Sequence, residues 1–192
     1  DVAELVALAK SRPGQITYGS FGPGSQHHLL FEMLNQTAGI KLVQVPYKGV
    51  PQIMAAVLSG EIQLALAGAF SAKGHIAARR LKALGVSGPK RSPFVPDVPS
   101  LIEQGFPAVE YTLWLGLFAP AGTPRSVIDR INANVTEFLS DPAVRDKELL
   151  ALGYEPSGLG PDEFAARIRR ELAALVGHPL RACAPRTIAS EG

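Results

Sequence analysis

The feature that most constrains this chain is a repeated passage, within residues 1–86, from a short β-rich run through a glycine-containing loop into apolar residues at helical spacing. Residues 15–19 lead into Ser20-Phe21-Gly22-Pro23-Gly24-Ser25, followed by Leu29, Leu30, Met33 and Leu34 up to Gly39. Residues 41–46 lead into Tyr47-Lys48-Gly49-Val50, where Pro51 suits a first helical turn, and on through Ile53, Met54, Val57 and Leu58. Residues 61–67 predict a third strand, residues 68–71 a loop before a helix ending near Arg80, and residues 81–86 a fourth strand. Strands alternating with helices of this length make a mostly parallel sheet covered on both faces, so the fold class is α/β.

The flanks are consistent with that reading. Residues 1–10 carry apolar positions at helical spacing, stopped by Arg12-Pro13-Gly14. Residues 87–99 hold five prolines and glycines and read as an extended connection, followed by a short helix around 100–104. Residues 109–119 form the longest β-rich run, ended by Pro120. Thr123 is placed to N-cap a helix with Pro124 at its first position and Val127, Ile128, Ile131, Val135, Phe138 and Leu139 on one face. Asp141-Pro142 opens another helix reaching Gly153, and Pro161 a last one reaching Val176, with Arg167, Arg169 and Arg170 as a solvated face. Residues 177–192 predict an irregular, poorly ordered tail.

Composition excludes several function classes. With 46% hydrophobic and 19% charged residues over 192 positions, the chain supports a packed core rather than disorder. No stretch is long and apolar enough for a membrane-spanning helix, and the first residues lack the charged-then-apolar pattern of an export leader. A lone cysteine, Cys183, leaves neither an internal disulfide nor a cysteine-rich zinc site. A net charge of +2 is too small for a nucleic-acid partner. Residues 1–108 carry ten Lys/Arg against six Asp/Glu, and the remainder nine against eleven, so the first part suits an anionic ligand.

The glycine loop between the first strand and its helix is the richest chemical signal. Glycines let peptide N–H groups converge, the helix start adds partial positive charge, and Ser20 and Ser25 add hydroxyls, so a carboxylate or phosphate is accommodated there. The same residues also read as a tight turn with Ser25 as an ordinary N-cap. A P-loop is excluded because no lysine follows Gly24, and the dinucleotide fingerprint because His27 stands where its third glycine belongs. Tyr47, Lys48 and Gly49, at the end of the next strand, offer a ring or hydroxyl, a charge and an N–H, or a lysine that points to water. His27 and His28 diverge on a helix and cannot chelate one metal, and His75 and His178 lack neighbouring ligands, so no metal and no cofactor are expected. A nucleophile elbow is absent, and Ser25 with His28 reads as capping. No catalytic residue is assigned. Trp114 reads as core or hinge packing.

The joint order of several motifs resembles one family: the solute receptors of tripartite tricarboxylate transporters, or Bug-type periplasmic binding proteins. The residues that carry the resemblance are Ala9-Lys10-Ser11-Arg12-Pro13-Gly14, Tyr18 to Ser25 with His28-Leu29, Val45-Pro46-Tyr47-Lys48-Gly49, and Leu81-Lys82-Ala83-Leu84. Further on come Arg91 with Pro96-Asp97-Val98-Pro99-Ser100, Glu103-Gln104-Gly105 and Trp114 through Pro124. The resemblance implies a two-lobed periplasmic binding protein of type II that closes on a small carboxylate and delivers it to a membrane permease. It implies that residues 1–108 are the second lobe, 109–176 the returning part of an incomplete first lobe, and 177–192 a tail unlike the family's C-terminus, as a shift of reading frame near Val176 would produce. The ligand-binding residues it implies are Ser20, Gly22, Gly24 and Ser25, supported by His28, Tyr47, Lys48 and Gly49. Relatives carry an export signal and a Pro-Gly-Gly-rich loop upstream, so the chain is expected to begin at the second lobe, with self-association through the incomplete first lobe. Residues 67–71 lack the Asp or Asn of many relatives, which disfavours an amino-acid ligand. The rival expectations are a small periplasmic hydrolase or lyase using Ser25 or Lys48, and a truncated remnant that binds nothing.

Overall fold

The structure, a computed structural model, describes residues 1–150 and 154–177, the last four by backbone only. The tail expected over 177–192 therefore lies almost wholly outside the described residues, as do Cys183, His178 and the end of the helix expected to reach Gly153. Two compact units part between Thr112 and Leu113.

The first unit opens with α1 (Val2–Ser11), capped by Asp1, whose carboxylate accepts the Glu4 N–H at 2.8 Å. Next come β1 (Ile16–Ser20), α2 (Gln26–Ala38), β2 (Leu42–Pro46), α3 (Val50–Ser59) and α4 (Ala69–Ala77). β1 and β2 pair in parallel, with Ile16 opposite Leu42 and Ser20 opposite Pro46. On the other side of β1, Gly19 N–H donates to the Leu64 carbonyl and Leu64 N–H to that of Thr17, at 3.1 and 3.0 Å. The spatial order is thus β2, β1, then the segment around Leu64, all parallel.

Alternation along β1 sorts its side chains. Ile16 and Tyr18 join Val2, Leu5 and Ala9 of α1 and Leu30, Phe31 and Leu34 of α2 in one core, where the Tyr18 and Phe31 rings stack 4.3 Å apart. The opposite face meets α3, whose Ile53 and Ala56 pack with Ile62. A Cβ at Gly19 would come within 2.8 Å of Ile53 and 2.9 Å of Ile62, so α3 reaches the sheet only because residue 19 has no side chain.

Several expected elements are shorter than the sequence predicts. The third strand is reduced to one bridge, Tyr18 with Leu64, and the fourth to Val86 with Ser100. In the latter, the Gln104 side chain occupies the Leu84 carbonyl at 3.0 Å, taking a place that a strand would need. The helix expected around 100–104 is a single turn closed by Ser100 and Glu103 and stopped by Gly105 at φ +88°. α4 ends at Ala77, where Arg79 adopts φ +55°.

The second unit, described by itself, contains α5 (Arg125–Ser140), a π-helical segment (Val144–Leu149) and α6 (Pro161–Gly177). Thr123 does not cap α5. Its hydroxyl donates to the Pro120 carbonyl at 2.8 Å, and Pro124 takes the N-cap position. The helix expected from Asp141 is π-helical over Val144–Leu149, after an Asp141 carboxylate that accepts the Ala143 N–H. The strand expected over 109–119 is not a strand: Tyr111 N–H donates to the Ser87 carbonyl at 2.7 Å, but no ladder with a described strand forms along the segment. From Leu113 on, one side packs on α6: Trp114 meets Phe164 edge-on at 5.0 Å and donates to Glu171 at 2.7 Å. Leu113, Leu115 and Leu117 on the other side are 58%, 77% and 72% exposed. Arg167, expected in a solvated face, instead lies over the Trp114 ring and pairs with Glu171.

Candidate ligand-binding site

Parallel pairing brings the ends of β1, β2 and the Leu64 segment to one edge of the sheet. Each then runs through a loop into a helix: α2 capped by Ser25, α3 by Gly49 and α4 by Gly68. Three helix N-termini therefore emerge at the carboxyl edge, where open α/β sheets take their ligands and where helix dipoles favour an anion. Cross-links hold the edge together. Tyr47 N–H donates to the Ser20 carbonyl at 2.7 Å, and His27 Nε2 reaches the Leu66 carbonyl at 3.2 Å.

Within this edge the expected residues divide by role. Ser20, expected to offer its hydroxyl to a ligand, is 0% exposed, and its Oγ accepts from Gly22 N–H at 3.0 Å and from Gln44 Nε2 at 2.7 Å. The chain thus fills both acceptor positions of the oxygen, which braces the loop from behind and leaves the hydroxyl hydrogen as the one hydrogen-bonding position not taken by these two contacts. Gly22 is buried, and at φ +105° and +76° Gly22 and Gly24 occupy conformations that side chains rarely adopt. Gly24 is exposed, and its N–H donates to His28 Nδ1 at 3.1 Å. His28 is buried, so it too supports the loop rather than lining its surface. Ser25, half-buried, accepts the His28 N–H at 3.4 Å as an N-cap. The peptide N–H groups of Phe21, Gln26 and His27 have no acceptor among the described residues.

On the β2 side, Tyr47 donates its hydroxyl to Glu61 at 2.8 Å. Desolvation, followed by that bond and the Glu61 charge, pushes the phenol above its ordinary pKa. Its hydroxyl is thus spent on Glu61, and the ring packs beside Ile53 and Ile62. A shallow hollow beside it is lined by Tyr47, Gln52, Ala55, Ala56, Ser59 and Glu61, apart from the glycine loop. Lys48 is exposed, and its peptide N–H donates to Gln52 at 2.9 Å. Gly49 begins α3 in extended backbone.

Two residues here were not singled out as site residues by sequence reasoning. Gln44 is the polar interruption of an otherwise apolar strand, two positions from the residue opposite Ser20, and that interruption was its only signal. His27 is 7% exposed, with its ring tilted against Phe21 at a centroid separation of 4.3 Å. Burial pulls its pKa below the ordinary histidine value, and the Leu66 contact opposes this in part. The geometry does not assemble a hydrolase: His28 Nδ1, bound to Gly24 N–H, is not available to take a proton from Ser25. Among the described residues no three His, Cys, Asp or Glu side chains gather as a metal site.

Known proteins resemble this chain over most of its length. The family model described as "Tripartite tricarboxylate transporter family receptor" matches residues 1–172. A "UPF0065 protein in tcbD-tcbE intergenic region" of Pseudomonas sp. strain P51 is 34% identical over 172 residues, covering 89% of this chain and 51% of the relative. A solved "periplasmic transporter" is 34% identical with a TM-score of 0.79, covering 91% of this chain and 58% of the other. "R. palustris Rpa4515 with adipate" is 30% identical with a TM-score of 0.80, covering 92% and 58%. These solved neighbours confirm the α/β fold of periplasmic binding proteins. The chain spans about half the length of the curated relative it matches. The match runs through both the glycine loop and the Trp114 segment, and on that breadth the chain belongs to the tripartite tricarboxylate transporter receptor family, a family of receptors and not of enzymes.

Proposed function

We propose that this chain is the ligand-holding part of an extracytoplasmic receptor that binds a small carboxylate and delivers it to a membrane permease. The observation that carries the reading is the convergence of the α2, α3 and α4 N-termini on one sheet edge. A carboxylate there accepts from the peptide N–H groups of Phe21, Gln26 and His27, with the Ser25 hydroxyl and Gly24 beside them. Ser20, Gly22 and His28 hold the loop, and Lys48 and Gly49 add positive potential from the neighbouring turn. Such a site reads an anion through fixed dipoles rather than an arginine clamp, which favours release to a permease.

The family membership and the adipate named with one structural neighbour support this class of ligand. In this reading residues 1–108 form the second lobe of a clamshell, residues 109–176 return to the first, and the protein works in the periplasm. The exposed leucines at 113, 115 and 117 favour self-association of this chain.

The test is thermal-shift and calorimetric titration of the 192-residue chain with succinate, citrate, glutamate and benzoate, with chloride as control. A ligand that binds only the folded state adds roughly 2.7 kcal/mol at a hundred times its Kd. A shift with one or two carboxylates, weakened in Ser25→Ala, is expected. Absence of any shift across carboxylates would leave the non-binding remnant as the better description.

A further inference from the structure

The strongest unused observation is a lone pair. His27 is the second residue of α2, and its imidazole bridges the start of that helix and the end of the Leu64 segment through Nε2 and the Leu66 carbonyl. A carbonyl only accepts, so Nε2 carries a proton, and the buried ring is neutral with its other nitrogen bare. That nitrogen, Nδ1, is buried and has no hydrogen-bond partner, the one such side-chain atom among the described residues. Neighbouring polar groups of the edge are paired: Ser20 with Gln44, His28 with Gly24, Tyr47 with Glu61. The ring lying against the imidazole belongs to Phe21, an exposed side chain of the glycine loop itself. The glycine loop therefore lies directly against the ring that carries the bare nitrogen.

We infer that the ligand supplies the missing donor: His27 Nδ1 accepts a hydroxyl from a 2-hydroxycarboxylate whose carboxylate rests on the α2 N-terminus. This rests on the carboxylate reading above and adds a second recognised group. The peptide N–H groups of Gln26 and His27 and the His27 ring belong to the same helical turn, which suits a carboxylate and a hydroxyl on adjacent carbons. An ammonium in the hydroxyl's place is disfavoured, because residues 20–28 and 47–49 contain no acidic side chain and three helix N-termini make the edge positive.

The experiment compares acids that differ only at C2, titrated into the 192-residue chain: succinate, malate and aspartate, and phenylacetate, mandelate and phenylglycine. The hydroxy acid of a pair that binds is expected to be about five- to tenfold tighter than its deoxy partner, the scale of one net hydrogen bond. That ratio should fall to near one in His27→Gln, which keeps a donor for the Leu66 carbonyl but removes the acceptor at Nδ1. It should persist in His27→Asn, whose side-chain oxygen takes the place of Nδ1. Both acids are read on the same protein, so a general loss of stability does not move the ratio. Equal affinities, a ratio unchanged in His27→Gln, or an amino acid as tight as the hydroxy acid would overturn the inference while leaving the carboxylate reading standing. Failure of every acid in this set and in the panel above overturns both.

Discussion

The close approach of α3 to β1 makes Gly19→Ala a demanding substitution. The added Cβ would sit 2.8 Å from Ile53 Cγ2, 2.9 Å from Ile62 Cδ1 and 3.1 Å from Ile53 Cγ1. Ile53 and Ile62 are 0% and 1% exposed, so neither side chain can swing into solvent to make room. Overpacking of this kind costs about 1–3 kcal/mol. Loss of glycine's freedom in the unfolded chain returns about 0.4–1 kcal/mol. The expected net is a destabilisation of about 1–2 kcal/mol, or roughly 2–8 °C in Tm for a chain of this size. Urea unfolding followed by circular dichroism measures it. Ile53→Ala removes both Cγ atoms, so Gly19→Ala on that background should cost at least about 0.5 kcal/mol less, the coupling expected of residues in contact. A neutral Gly19→Ala, or the same cost on both backgrounds, would show that α3 does not rest on the bare backbone at residue 19. Because α3 also carries Gly49 at its start, the substitution should weaken carboxylate binding as well.

Acid sensitivity offers two further predictions. His27 titrates below its ordinary 6.5 when folded, so the unfolded chain takes up the proton first as pH falls. Its contribution is intact above about pH 6.5 and lost below it, and His27→Gln should flatten that part of the stability profile. Glu4, beside Lys82, is held down to about 2 from 4.5. Its contribution is therefore full above pH 4.5 and lost as pH falls through about 2. NMR titration of its carboxyl should show the low midpoint, returning toward 4.5 in Lys82→Ala. In the second unit, a side chain at Gly116 would collide with the Phe164 ring, so Gly116→Ala should loosen the Trp114 and Phe164 pair and shift Trp114 fluorescence to the red. Phe164→Ala should relieve that collision, and an unchanged spectrum in Gly116→Ala would refute the packing.

Much of the first unit was legible in residue order, because helix and strand periodicity and cap residues act within a few positions of each other. The α2 helix shows it: Ser25 caps it, Gly39 ends it at φ +62°, and Leu30 and Leu34 mark its inner face. Strand length was less legible, since a strand exists only where a partner lies alongside. Residues 81–86 and 109–119 have β-rich composition, yet Gln104 occupies a carbonyl of the first, and the second finds no ladder among the described residues. The order of residues by itself determined the α/β class, the position of the glycine loop before a helix, and the exclusion of known nucleotide motifs there. The tertiary structure decided which groups at that edge are available. It set Gln44, 24 positions away, on the Ser20 oxygen, and it buried the bare nitrogen of His27. Local spacing selects an element, but whether a hydroxyl or a ring nitrogen is paired depends on contacts between distant residues, which form only when β1 packs between β2, α2 and α3.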